Sequence, residues 1–312
     1  METLLHSSNI QIQGNRLYFK RDDLLPFSFG GNKVRIAQEL FADMKEKGKD
    51  CIIGYGSTTS NFCRVLSNMA CSQNIPCYIV EKKSNGSAFS FNSILVKNSG
   101  AKVIECNQNN VSFAVETAIK DAKAKGYSPY YIYGDIYGNG NESVPTRAYA
   151  KCFNEIERQG VEQGVDFDYI FCATGTGMTQ AGLIAGKVQS NKAIKIIGVS
   201  IARKKDTAED SVKKFLKAYV QNGKYDLDDK VFVVDKYMCG GYAEYDKNIL
   251  DTIKKVYRLD GVILDPCYTG KAFYGMLQYL RENNIKDKKI LFLHTGGTPL
   301  FFDVLSTNAL GE

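Results

Sequence analysis

Lys33 is the residue in this sequence best placed for covalent chemistry. It follows Gly30-Gly31-Asn32 and opens a stretch with helical spacing. A lysine attacks carbonyl groups once its amine is desolvated or held near another cation, and paired glycines let the backbone turn sharply and come close to another group. A lysine in such a loop can also be a solvated residue at a helix start, so its meaning depends on what converges with it. Thr174-Gly175-Thr176-Gly177-Met178-Thr179 lies between an apolar run and a helical one. Its backbone N–H groups and the helix N-terminus suit a phosphate. No Gly-Lys-Ser/Thr ends it as in a Walker loop, and the six-residue dinucleotide glycine pattern is absent. Gly56-Ser57-Thr58-Thr59-Ser60-Asn61 repeats the layout of strand, polar loop and helix, although Ser60 or Asn61 could simply cap that helix. Asp265-Pro266-Cys267-Tyr268-Thr269-Gly270-Lys271 and His294-Thr295-Gly296-Gly297-Thr298 also leave apolar runs and enter helical ones, and Gly240-Gly241-Tyr242 precedes another.

The elements that must carry these groups alternate. After Lys33, Ile36, Leu40, Phe41 and Met44 repeat at helical spacing up to Gly48, and Cys51-Ile52-Ile53-Gly54-Tyr55-Gly56 reads as a strand buried on both faces. Helices are predicted from Ser60 to Met69, Ala88 to Asn98 and Val111 to Lys125, and strands over Leu17–Lys20, Pro76–Val80, Ala101–Cys106 and Tyr130–Ile136. The glycine- and asparagine-rich run Tyr137 to Ser143 reads as a lobe junction. A second series follows, with strands Tyr169–Ala173, Ala193–Ser200, Val231–Asp235, Gly261–Leu264 and Lys289–His294. Its helices are Met178–Gln189, Asp206–Asn222, Tyr245–Tyr257, Gly270–Glu282 and Pro299–Ser306. Such alternation predicts an α/β protein of two open, mainly parallel lobes with the ligand cleft between them, since ligands in these sheets collect at the carboxyl ends of strands.

Composition bounds the function. The 312 residues suffice for two α/β lobes, and the charge of +6 is spread along the chain without a basic or basic-aromatic block, which argues against nucleic acid as a partner. Nine cysteines are an odd count with no Cys-x-x-Cys pair or Cys/His ligand spacing, so neither a disulfide framework nor a metal site is expected. No apolar run approaches the ~20 residues that span a bilayer, and the first residues lack a signal layout, so a cytoplasmic protein with no membrane partner is the default expectation.

An amine, a phosphate cradle and polar groups at neighbouring strand ends are together what pyridoxal phosphate requires. On these motifs the sequence resembles the pyridoxal-phosphate enzymes of the tryptophan-synthase β fold (fold type II), in the group that holds 1-aminocyclopropane-1-carboxylate (ACC) deaminases and D-cysteine desulfhydrases. The resemblance runs in order from Arg21-Asp22-Asp23 and Lys33 through Ser60-Asn61, the Thr174–Thr179 loop, Gly241-Tyr242 and Asp265–Ala272 to His294-Thr295-Gly296-Gly297. It implies a large cofactor-binding domain from residues 1–40 and 150–312, a small α/β domain from 41–149, and a homodimer. It further implies that Lys33 carries the cofactor and moves protons at the substrate, that Ser60 contacts the substrate, and that Tyr242 and Tyr268 flank the reacting atoms as candidate acids. Asn61 would bond the cofactor's ring hydroxyl, residues Thr174, Gly175, Thr176, Gly177, Met178 and Thr179 its phosphate, and Thr295 or Thr269 its pyridine nitrogen. His294 would orient neighbours.

Departures from the group's pattern shape the reaction expected. ACC deaminases carry glutamate after the tyrosine of the Asp-Pro motif, whereas Thr269 stands here, as in D-cysteine desulfhydrases. The expected reaction is therefore α,β-elimination from a small β-substituted amino acid, D-cysteine foremost, with ACC deamination, β-replacement or a catalytically silent amino-acid-binding role as alternatives. Thr59 and Phe62 replace the glutamine before and the glutamine or histidine after the Ser-Asn pair. Ile36 replaces a lysine that the group often places near the phosphate.

Overall fold

The computed structural model describes residues 1–83, 90–220, 227 and 230–305. The predicted helix starts at 88 and 89, the end of the 206–222 helix and Ser306 lie outside them. Two sheets organise the chain. The larger contains β1 (Leu5–Ile12), β2 (Asn15–Arg21), β7 (Tyr169–Thr174), β8 (Lys195–Ser200), β9 (Phe232–Val234) and β10 (Lys289–His294), in the order β1-β2-β10-β7-β8-β9. β1 and β2 form an antiparallel hairpin, and every other pairing in this sheet is parallel. The smaller sheet, β5-β4-β3-β6, is wholly parallel and consists of β3 (Cys51–Ser57), β4 (Cys77–Lys82), β5 (Lys102–Cys106) and β6 (Pro129–Tyr131). The predicted α/β fold of two mainly parallel sheets is thus observed, and Cys51-Ile52-Ile53-Gly54 is buried throughout, as a strand covered on both faces must be.

Helices connect the strands: α1 (Asn32–Glu46), α2 (Asn61–Ser72), α3 (Phe91–Asn98), α4 (Val111–Ala124), α5 (Ser143–Glu162), α6 (Met178–Ser190), α7 (Lys205–Tyr219), α8 (Lys247–Asp260), α9 (Thr269–Glu282) and α10 (Thr298–Leu305). One apolar core runs from the small sheet through α1, α5 and α6 to one face of the large sheet, and a second lies under α8 and α9 on the opposite face. Gly182 and Gly186 let α6 approach α5 closely. A Cβ at either would fall 2.3 Å from the Tyr149 Cβ or 2.6 Å from the Phe153 Cβ.

The segment Gly261–Leu264, predicted as a strand, does not join a sheet. β10 is flanked by β2 and β7, so neither of its edges is open to it. Val262 and Leu264 are fully buried in the α8–α9 core instead, which explains an apolar run without a ladder. β6 and β9 are also shorter than predicted, at three residues each.

Beneath α1 lies a buried ionic network. Arg35 forms a fork on Asp22, Nε to Oδ2 at 3.0 Å and Nη2 to Oδ1 at 2.9 Å, and bonds Glu155 of α5 at 2.8 Å. Tyr149 donates to Asp22 at 2.6 Å, and Lys20 reaches Glu155 and Gln159. Charges removed from water persist when paired and hydrogen-bonded this fully. The network anchors the helix that carries Lys33 to β2 and α5.

Candidate active site

Four strand ends meet at one cavity of about 310 Å3. The loops after β3, β7, β8 and β10 all contribute walls, as expected for the carboxyl ends of parallel strands. Its size falls in the ~300–1,000 Å3 range of small-molecule sites.

Lys33 stands one residue into α1, and close contact between two glycine-bearing loops sets its position. Asn32 N donates to Thr295 O at 3.0 Å, and Asn32 Nδ2 donates to Thr179 Oγ1 at 2.9 Å. Gly31 and Gly296 hold φ of 100° and 87°, and a Cβ on Gly296 would sit 2.6 Å from the Gly31 Cα. The Gly-Gly-Asn-Lys segment, the phosphate loop and the end of β10 are therefore locked together despite their separation in sequence. Burial pulls the Lys33 amine down from 10.5 to about 8, and it lies 5.5 Å from the centre of the Phe62 ring. A lysine so placed is a usable nucleophile near neutral pH.

Two hydrogen-bonded phenols line the same cavity. The Tyr242 and Tyr268 hydroxyls are 2.9 Å apart with their rings edge to face, and Tyr242 OH lies 3.2 Å from Thr59 Oγ1. Tyr242 is 41% exposed, yet desolvation at the cavity mouth raises its hydroxyl, and burial holds that of Tyr268 well above its ordinary value, so both keep their protons at neutral pH. Ser60 caps α2 by accepting from Cys63 N at 3.2 Å and also lines the cavity, so its two readings coexist. Asn61 Oδ1 accepts from Asn92 Nδ2 at 3.0 Å, which orients the amide.

The predicted phosphate loop divides. Gly175, Thr176, Gly177, Met178 and Thr179 line the cavity, whereas Thr174 is buried outside it and donates to Gln180 Oε1 at 2.8 Å. Thr174 supports the loop. Of the two threonines offered for the pyridine nitrogen, Thr295 lines the cavity and Thr269 does not. Thr269 is fully buried, its hydroxyl donating to Asp265 Oδ1 at 2.7 Å and accepting from Asp265 N at 2.9 Å. His294 accepts from Gly296 N at Nδ1, so its Nε2 carries the proton donated to Ile263 O. Ile36 is buried beside Met178 and Phe62, under the wall of the cavity. Cys172 and Cys267 do not line it.

Tyr55, Tyr133, Gln180 and Arg203 line the cavity without having been singled out from sequence. Arg203 has the clearest signal available in advance, being a cation just past a strand end. Its Nη1 donates to Ser211 Oγ, which donates in turn to Thr176 O, each at 2.7 Å.

Pyridoxal phosphate fits the residues present. Among the described residues no carboxylate pairs with the Lys33 amine, which lines the cavity, and the N–H groups of Gly175, Thr176 and Gly177 bond no acceptor. Residues 2–296 match the family model of pyridoxal-phosphate dependent enzymes, and the chain belongs to that family. Its cofactor is pyridoxal 5′-phosphate, and its relatives place it with the lyases and deaminases of the ACC deaminase and D-cysteine desulfhydrase group. One relative, "Putative 1-aminocyclopropane-1-carboxylate deaminase" of Pyrococcus furiosus, is 34% identical over 292 residues, covering 92% of this chain and 86% of that protein. D-cysteine desulfhydrase of Yersinia pestis is 31% identical over 299 residues, covering 93% and 88%. Among solved structures, an ACC deaminase homologue superposes with a TM-score of 0.82 at 28% identity, covering 98% of this chain and 93% of the other. O-acetylserine sulfhydrylase isoform 3 of Entamoeba histolytica shares the fold, with a TM-score of 0.64 at 16% identity and coverage of 94% and 85%.

Proposed function

We propose that this enzyme catalyses α,β-elimination of a small β-substituted amino acid, D-cysteine foremost, releasing sulfide and, after one water hydrolyses the eliminated product, pyruvate and ammonia. The observation that carries the reading is the cavity wall itself: Lys33 and the hydrogen-bonded Tyr242–Tyr268 pair share it with Arg203, Tyr55 and Tyr133, and no aspartate or glutamate is among the described lining residues. Once the substrate amine has displaced it, the freed Lys33 amine would be the base for the Cα proton, and a protonated phenol the acid for the departing sulfur.

The cofactor supplies an electron sink for charge developing at Cα. Lys33 would hold it covalently, and Gly175 to Thr179 would offer N–H groups and the α6 N-terminus to its phosphate. Thr295 would offer a neutral hydroxyl to the pyridine nitrogen, and Asn61 its side-chain amide to the ring hydroxyl. Ser60, at the mouth of α2, contacts the substrate. A neutral partner for the nitrogen would limit charge build-up on the ring, which would suit early loss of a β leaving group.

ACC deamination to 2-oxobutanoate and ammonia is the second reading, favoured by the relative named for that activity. Purified enzyme assayed side by side on D-cysteine, L-cysteine, D-serine, β-chloro-D-alanine and ACC separates the two. Sulfide and pyruvate from D-cysteine are expected. Turnover of ACC without sulfide from D-cysteine would reverse the ranking, and loss of the visible cofactor band in Lys33→Ala checks the covalent role.

A further inference from the structure

Lys271, in the first turn of α9, is fully buried, yet all of its acceptors are uncharged. Its Nζ donates to Ile201 O at 2.9 Å, Met238 O at 2.8 Å and Gly241 O at 2.8 Å. An ammonium has three N–H donors, and here each meets a backbone carbonyl. Removing the charge from water costs several kcal/mol, so three well-placed dipoles are the least that can hold it.

The carbonyls come from segments that wall the active site. Ile201 lines the cavity with Ala202 and Arg203, while Met238 and Gly241 bracket the loop that ends in Tyr242. That loop has little support of its own. Cys239 and Ala243 hold φ of 51° and 63°, a region that non-glycine residues occupy when surroundings impose it. Its backbone bonds are long: Met238 N to Asp235 O at 3.4 Å, Gly241 N to Met238 O at 3.2 Å and Glu244 N to Gly241 O at 3.4 Å. The short, charge-assisted bonds are those of Lys271. Tyr268 stands three residues before Lys271, so one short segment carries both the partner phenol and the clasp on the loop of Tyr242.

We propose that Lys271 is a positioning residue acting as a tethered monovalent cation, its ammonium clasping the Met238–Gly241 loop onto the end of β8 and so setting the contact between Tyr242 and Tyr268. Its effect on turnover rests on the elimination reading above, whereas the cation site itself does not. A ring of carbonyl oxygens that holds an ammonium can also take potassium or free ammonium ion when the lysine side chain is cut back.

The test is Lys271→Ala, loaded with cofactor and studied in choline, potassium and ammonium chlorides at matched ionic strength. The visible cofactor band at Lys33 is expected to persist, and turnover in choline chloride to fall at least about tenfold, the equivalent of one lost charge-assisted hydrogen bond. Potassium or ammonium should then raise both the melting temperature and the turnover of the variant while leaving the wild type unmoved. Wild-type turnover in choline chloride would overturn the proposal, as would a loss that no cation relieves. Lys271→Met, which keeps the bulk and removes the charge, covers the case in which the alanine variant does not fold. It should carry the cofactor band with depressed turnover, and wild-type turnover in it would equally overturn the proposal. Should the wild type turn over none of the substrates above, the functional reading fails, and the response of the melting temperature to cations still decides the site.

Discussion

The Lys33 amine stands 5.5 Å from the centre of the Phe62 ring, so the nucleophile proposed for this site is faced by an aromatic side chain. Two effects oppose each other there. Burial disfavours the ammonium and dominates, bringing the amine to about 8, while the ring face attracts the cation and holds the value up.

Covalent capture of the cofactor should report this directly. The neutral amine attacks the aldehyde, so in protein stripped of cofactor the capture rate should rise through pH 8 and level off within about a unit above it. A solvated lysine would still be rising near its ordinary value of 10.5. Phe62→Leu should move the midpoint down by roughly 0.4–0.7 unit, because a ring attraction of about 0.5–1 kcal/mol is lost at 1.36 kcal/mol per unit. An upward move would mean that the ring acts chiefly by excluding water. Stopped-flow absorbance in the visible gives both midpoints.

The tyrosine pair should behave as a unit. Tyr242→Phe and Tyr268→Phe are each expected to lower the elimination rate about 10²–10⁴-fold, the usual range for a positioned acid, with the cofactor band unchanged. Because their hydroxyls share one 2.9 Å contact, the double variant should lose far less than the product of the single losses. Initial rates of pyruvate release across the four proteins test this. Additive losses would show two independent roles.

Much of this architecture is legible in the residues, for reasons that differ from place to place. Gly30 and Gly31 mark in the sequence the close backbone approach that brings Lys33 to the cavity, and the strand, glycine turn and helix pattern marks Gly175 to Thr179, which line it. What failed was long-range information. Thr269 and Thr295 were equivalent as sequence, and what separates them is the Asp265 carboxylate that captures the Thr269 hydroxyl. Thr174 has the place of a cradle residue in the sequence, but Gln180, six residues on and in the first turn of α6, takes its hydroxyl. Gly261–Leu264 has the composition of a buried strand, but whether a strand edge is free to receive it depends on the order of the whole sheet. Tyr55, Tyr133 and Arg203 reach the cavity through packing between elements far apart in the chain.

Contact between Gly31 and Gly296 predicts a second kind of defect. A Cβ on Gly31 would lie 2.8 Å from Thr295 O and one on Gly296 would lie 2.6 Å from the Gly31 Cα, both at positive φ. Gly31→Ala or Gly296→Ala should therefore cost about 1–3 kcal/mol of stability and part the loop of Lys33 from Thr295. Thermal melts with and without cofactor should show a smaller gain in melting temperature on loading than in the wild type. An unchanged gain would mean that the loops part without disturbing the site.

Changing Thr269 to the glutamate of ACC deaminases should not convert the activity. The Thr269 hydroxyl and the N–H groups of Cys267, Tyr268 and Thr269 already serve the buried Asp265 carboxyl, which burial holds above its ordinary value. A glutamate there would bring a second carboxylate against the first in a fully buried position, and like charges so placed cannot both ionise cheaply. Thr269→Glu is expected to lower stability by at least about 2 kcal/mol, whereas Thr269→Val, which drops the hydroxyl alone, should cost about 1–3 kcal/mol. Denaturant unfolding of the two variants measures the difference, and an ACC assay of Thr269→Glu supplies the second readout. Gain of 2-oxobutanoate production by a stable Thr269→Glu protein would show that the side chain can turn into the cavity, and that the partnership of Thr269 with Asp265 is dispensable to the fold.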